Sequence, residues 1–364
     1  MMAAATIYFI ACHGGPAAHF AEFASELRRE GFSVELLATG PAFDKLQSSG
    51  AIELNPDRLD LNSPASCRGL AQKIAETIRD ASAIVTDVGH PFLAAVQEET
   101  AHSAPSVKRF AYYDNPESFV PGGYSQTAAK VMALADKVLF SNRHLAEAPL
   151  YQNPGVFFDL PLEKRVGLGY YPLAQAHFLK GARSARKEIA RRLFFQQKGL
   201  EDTGQKILLY LGGNNEVFFE KAFPAFLHLL RESRLDPSRY LVVMQHHPGA
   251  KKREIDTKLS GGYPLLVSTV SSEEALLFAD AALYYQTSMG PLLALAGIPA
   301  IQVGHETFPD ILVRSKIAPS ATTKQSFLSA VETAAAQEDS CKLLDDLGLC
   351  ADWESRLLSA LTGM

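Results

Sequence analysis

Apolar residues run along most of the chain in two alternating rhythms. Thr6 to Cys12 is a short apolar run of the kind a buried strand needs, and Phe20, Phe23, Ala24 and Leu27 then recur at the spacing of one helix face. Gly31 supplies the helix stop, and "FSVELLATG" alternates as a second strand. Leu70, Ile74 and Ile78 repeat at helical spacing and lead into the strand "SAIVTDVG", which ends at Asp87. "SVKRFAYYDNP" reads as a strand running into a loop, and "TAAKVMALADKVLFSN" as a helix followed by a strand.

From Val156 to Gly204 the rhythm weakens. "VGLGYYPLAQ" is rich in turn formers and aromatics, and "SARKEIARRLFFQQKG" reads as a basic amphipathic helix, a connector with a solvated basic face rather than a membrane-surface segment. The pattern restarts at "QKILLYLGGNN". A helix around "AFPAFLHLLRES" follows, then strands in "RYLVVMQHHPG", "PLLVST", "DAALYYQTS" and "PAIQVG", with helices at "SSEE" and "PLLALAG". The closing "ADWESRLLSALTGM" places Trp353, Leu357, Leu358 and Leu361 on one apolar helix face.

Strands alternating with helices imply parallel sheets covered on both faces, with ligands at the carboxyl ends of the strands. The expected architecture is therefore α/β: two Rossmann-like domains whose sheets face each other across a cleft. The first spans 1–165, the second 166–345, and a helix over 346–364 crosses back to the first.

Charge and cysteine content narrow the setting. A net charge of -5 on 364 residues argues against nucleic-acid binding, which needs a concentrated basic surface. The four cysteines, Cys12, Cys67, Cys341 and Cys350, lack CxxC spacing and predict reduced thiols and a cytoplasmic location. "MMAAATIYFIACHGG" lacks a basic leader, and no window reaches the roughly 20 apolar residues of a membrane span. Any membrane contact is expected to be peripheral.

Candidate chemistry sits at strand ends. In "IACHGGPAAHFAEF", Gly14 and Gly15 open the first helix and His19 lies in its first turn, where unpaired N–H groups suit an anion or a sugar hydroxyl. The same glycines also suffice for a plain strand-to-helix turn. "GGPAAH" is not GxGxxG, so a dinucleotide site is not expected. In the second half, Thr287, Ser288 and Gly290 form a hydroxyl-bearing strand-to-helix junction suited to a diphosphate, or simply a helix cap. "SSEE", Ser271 to Glu274, reads as a capping box. In "QHHPGAKK", His247 is placed to donate to a departing phosphate, with Lys251 or Lys252 adding charge, or else it is a solvated turn residue. His246 and His247 point to opposite sides of a strand and form no joint metal site, and no other metal constellation appears. Further acid–base candidates are Asp87, His90, Asp114 and Glu117.

Two segments carry a resemblance. "GGPAAHFAEFASELRREG" resembles the glycine loop and first helix of the peptidoglycan N-acetylglucosaminyltransferase family, and "ADAALYYQTSMGPLLALAGIPAIQV" resembles that family's donor segment. The order of elements is also similar to GT-B glycosyltransferases over most of the chain. The resemblance implies His19 as a catalytic histidine, Gly14 and Gly15 as an acceptor-side loop, and Gly212 and Gly213 as a donor-side glycine loop. It departs at the family's ribose-binding glutamate, matched here by Leu292. "QHHPGAKK" with the downstream Thr-Ser loop is similar to bacterial transferases that use CMP- or CDP-linked donors.

The expected function is a metal-independent glycosyltransferase. It has His19 as base and Asp114 as second choice, and it takes a UDP- or CMP/CDP-linked sugar as substrate with no cofactor. The donor is held by Gly212, Gly213, Asn214, His247, Thr287, Ser288 and Gly290, and the acceptor is unidentified. The alternatives are a nucleotide-sugar epimerase or hydrolase of the same fold, and a nucleotide-sugar binding protein without chemistry.

Overall fold

A computed structural model describes residues 6–116, 123–147, 160–213, 216–247, 250, 257–304, 309–334 and 340–363. The chain divides into two compact units. Unit 1 comprises Met1–Tyr171 and Gly348–Met364, and unit 2 comprises Pro172–Leu347.

Unit 1 opens with β1 (Thr6–Ala11), α1 (Gly14–Arg29), β2 (Ser33–Ala38), α2 (Pro41–Leu46) and β3 (Ile52–Glu53). It continues through α3 (Pro64–Thr77), β4 (Ala83–Thr86), α4 (Pro91–Ser103) and β5 (Lys108–Tyr113). The last elements before the division are α5 (Gly123–Leu134), β6 (Lys137–Phe140), α6 (Arg143–Glu147) and β7 (Arg165–Gly167). All seven strands are parallel, in the order β3-β2-β1-β4-β5-β6-β7. That order makes β1 the neighbour of both β2 and β4, so the chain reverses direction across the sheet at β1. The loops after β1 and β4 consequently open side by side, the geometry that places ligands in open parallel sheets.

Strand alternation sends Phe9, Phe110 and Tyr112 to one face of this sheet and Ile10, Ala111 and Tyr113 to the other. The first face is covered by Phe20, Phe23, Ala24 and Leu27 of α1, the spacing that the sequence displays. A final helix, the last of the chain, lies over the same face: Trp353–Thr362 buries Leu357 and Leu361 there.

Unit 2 begins with α7 (Leu173–Lys198), followed by β8 (Lys206–Leu211), α8 (Phe223–Ser233), β9 (Tyr240–Gln245) and β10 (Leu265–Val267). Next come α9 (Ser272–Phe278), β11 (Ala281–Tyr284), α10 (Gly290–Leu295) and β12 (Ala300–Val303). It closes with α11 (Ile311–Arg314), β13 (Ser320–Ala321), α12 (Lys324–Thr333) and α13 (Ser340–Asp346), so the chain-end helix over Trp353–Thr362 is α14. The six strands are again parallel, ordered β10-β9-β8-β11-β12-β13.

The stretch with weak sequence rhythm holds β7 and the 26-residue α7. Its basic side is solvated at Arg186 and Arg192, but not throughout. Arg191 pairs with Asp202 at 2.6 Å and Asp280 at 3.3 Å, and Lys187 reaches Asp280 at 2.6 Å. Arg183 donates to the carbonyls of Leu276 and Ala279 at the end of α9, where exposed C=O groups attract a cation. These charges fasten α7 to its own sheet layer, with Phe194 stacked on Phe278 at 4.6 Å. Ser271 and Glu274 make the capping box that starts α9.

Candidate active site

The loop after β1 meets the loop after β4 through one buried carboxylate. Asp87, fully buried, accepts from the backbone N–H of Cys12 at 2.7 Å and of His13 at 3.1 Å through Oδ2, and from Gly89 N–H at 3.1 Å through Oδ1. Its Oδ1 also faces Nδ1 of His13 at 3.1 Å. A carboxylate only accepts, so Nδ1 carries the hydrogen, and Nε2 is the nitrogen at which the ring exchanges a proton. The bond to Asp87 raises the His13 pKa, outweighing the opposing effect of burial. The His13 side chain is 39% exposed, which leaves the ring accessible.

Two more titratable groups stand at the same rim. His90 caps α4 by accepting Phe92 N–H on Nδ1 at 3.1 Å, and its ring centroid lies 6.4 Å from that of His13. Burial, assisted by the neighbouring His13, lowers its pKa, so it is neutral at pH 7 with its hydrogen on Nε2. Asp114 follows β5. Burial, with the Asp87 charge adding to it, pushes the Asp114 carboxyl up to about 7. The rim therefore carries a His–Asp couple beside a carboxyl that is part protonated at neutrality, which is the equipment of acid–base chemistry.

Gly15 accounts for the position of Asp114. A Cβ there would lie 2.8 Å from Asp114 Oδ2, so a larger residue would make the carboxylate shift from its place against the first turn of α1. Gly14 begins the helix, beside Lys45 and Pro41.

His19 is placed differently from the expectation of a base facing a substrate. It is half-buried, its Nδ1 lies 2.7 Å from the hydroxyl of Tyr112, and its ring packs edge-on against Tyr170 at 4.9 Å. Burial lowers its pKa to about 4. His13, by contrast, is absent from the motif reading: in "ACHGG" the glycines draw attention, and its partner is 74 residues away.

In unit 2, Gly212 donates its N–H to Gln245 O at 2.8 Å. A Cβ on Gly212 would meet Met244 Cε at 2.9 Å, and one on Gly213 would meet the Phe218 ring at 2.8 Å, so both glycines allow close packing after β8. Strand β9 ends at Gln245, so His246 and His247 lie beyond it and are not opposed across a strand. His247 is exposed, with its pKa lowered by partial burial. Thr287 Oγ1 accepts Met289 N–H at 3.1 Å, Ser288 is exposed, and Gly290 packs against Leu312. Leu292, where the resemblance implies a ribose-binding glutamate, is 3% exposed. Asn214, Glu117, Lys251 and Lys252 lie outside the described residues. Among the described residues no three His, Cys, Asp or Glu side chains are placed to hold a metal ion, and no helix is long and apolar enough to cross a membrane.

No protein-family model and no curated protein sequence matches the chain. Solved structures do. The UDP-GlcNAc 2-epimerase of Methanocaldococcus jannaschii is similar over 99% of this chain and 100% of its own, with 12% identity and a TM-score of 0.67. The UDP-GlcNAc 2-epimerase of Neisseria meningitidis, solved bound to UDP-GlcNAc, covers the same shares at 11% identity and a TM-score of 0.65. The UDP-N-acetylglucosamine 2-epimerase of Rickettsia bellii covers 99% of this chain and 97% of its own at 14% identity and 0.60. The fold is thus the GT-B arrangement of two Rossmann-like domains. The match to epimerases spans nearly the whole chain, whereas the likeness to the peptidoglycan transferase rests on two short segments, and the comparisons do not support that transferase assignment.

Proposed function

We propose that this chain is an enzyme acting on nucleotide-activated sugars without an acceptor, by epimerisation or hydrolysis. The observation that carries the reading is the cluster of His13, Asp87 and Asp114 at the ends of β1, β4 and β5. Epimerisation needs one group to remove a proton from a sugar carbon and another to return one, and hydrolysis needs a base for water and an acid for the departing phosphate. Nε2 of His13, backed by Asp87, is the base, and the Asp114 carboxyl is the acid. The strand-end loops of unit 2 that carry Gly212, Gly213, Thr287 and Ser288 are assigned to the nucleotide. The similar structures support a nucleotide-sugar ligand at the level of fold.

The test is incubation with UDP-N-acetylglucosamine, then with GDP-, CMP- and CDP-linked sugars, each alone and followed by proton NMR. Appearance of an epimer, or of free sugar with nucleotide, supports the proposal. Consumption only after an acceptor is added overturns it in favour of a transferase, and binding without consumption in favour of a binding protein.

A further inference from the structure

The first helix and the fifth strand are matched side chain for side chain. Gly15, His19 and Phe23, four residues apart, lie along one line of α1, while Tyr112 of β5 and Asp114, the residue just past its end, are two apart. Four helical residues rise about 6 Å and two strand residues about 6.6 Å, so two successive contacts keep register: Gly15 with Asp114, and His19 with Tyr112. The first contact is close: a methyl group on Gly15 would meet the carboxylate at 2.8 Å and make it shift. The second is a 2.7 Å hydrogen bond on a fully buried tyrosine.

We propose that His19 and Tyr112 are positioning residues, whose hydrogen bond fixes α1 in register with β5 and thereby holds the half-buried Asp114 carboxyl against Gly15. The bond is directional and adds a specific register to the apolar packing of α1. Aromatic rings complete the lock from the far end of the chain: Trp353 of α14 packs on Tyr170 at 4.7 Å and on Phe23 at 5.6 Å, and Tyr170 packs on His19. Among the described residues the charged groups around the seam are few. Asp87 and His13 face Asp114 from the ends of β4 and β1, and Glu22 lies beside Tyr170. If the lock opens, Asp114 becomes more exposed to water, and the burial that raises its pKa is relieved. The consequence for turnover rests on the proposed function; the seating of Asp114 does not.

The experiment follows the Asp114 carboxyl by carbon NMR in full-length protein labelled at aspartate, with Asp114→Asn identifying the signal. The parent titrates near neutrality, and so does His19→Asn, because asparagine places an amide group where Nδ1 lies and keeps the bond to Tyr112. His19→Ala and Tyr112→Phe titrate lower by roughly one unit or more. An unchanged midpoint in folded His19→Ala, or His19→Asn behaving like His19→Ala, overturns the proposal. Should Tyr112→Phe fail to fold, the two His19 variants decide. No turnover is measured, so a protein inert towards nucleotide sugars that shows this titration pattern overturns the proposed function alone.

Discussion

The imidazole of His13 meets the carboxylate of Asp87 at 3.1 Å, joining the loops that follow two neighbouring strands. Asp87 holds the ring by one nitrogen and accepts three backbone N–H groups, so it is both an orienting and a structural residue. Asp87→Asn keeps the shape, but its amide can present an N–H to Nδ1 and favour the wrong tautomer. The expected outcome is a folded protein with turnover reduced roughly 100-fold or more. Its stability should fall by about 1–3 kcal/mol. Steady-state kinetics with thermal unfolding checks both, and a variant with parental turnover removes the couple from the chemistry.

Stability against pH offers a check that needs no substrate. His19 has its folded pKa depressed from 6.5 to about 4, so its contribution is complete above 6.5 and is lost as pH falls. The Asp114 pKa is raised from 3.8 to about 7, so its contribution is complete below 3.8 and is lost as pH rises towards 7. Between about pH 4 and 6.5 the two proton differences cancel. His19→Asn removes one of them. The stability of the parent relative to this variant should rise with pH across that window, by up to about 1.4 kcal/mol per unit, and level off above it. A difference that stays constant in urea titrations across the window excludes the depressed His19 pKa.

Gly15→Ala separates folding from function. Alanine gains up to about 1 kcal/mol of helix propensity. It also forces the Asp114 carboxylate aside, so overall stability should change little while turnover falls at least tenfold. Parental kinetics in Gly15→Ala would show that the seat of Asp114 has no bearing on the reaction.

For unit 2, Thr287→Val with Ser288→Ala removes both hydroxyls before α10. Loss of the Thr287 acceptor for Met289 N–H costs about 1 kcal/mol. The stabilisation by UDP, read as a shift in melting temperature, should shrink or vanish. A full shift in the double variant would move the nucleotide elsewhere.

Most of the fold is legible from hydrophobic rhythm, because strands buried on both faces and helices with one buried face leave opposite signatures. Short elements are not: β3, β7 and β13 have two or three residues each, too few to show a period. Asp87, His90 and Asp114 stand out as strand-end titratable groups. The partner of Asp87 does not, since the His13–Asp87 bond exists only because β4 inserts beside β1. His19 illustrates the converse. Its spacing from the glycines suggests a site, yet which side of α1 faces Tyr112 depends on packing against β5, which sequence period alone does not specify.

The return of the last seventeen residues to unit 1 also orders events during synthesis. When the ribosome has delivered Tyr171, the first sheet is complete in strands but lacks Trp353, Leu357 and Leu361 on the face covered by α1. All of unit 2 is translated before those side chains emerge. A chain truncated before Gly348 should therefore show a protease-resistant second unit and a first unit still open to cleavage.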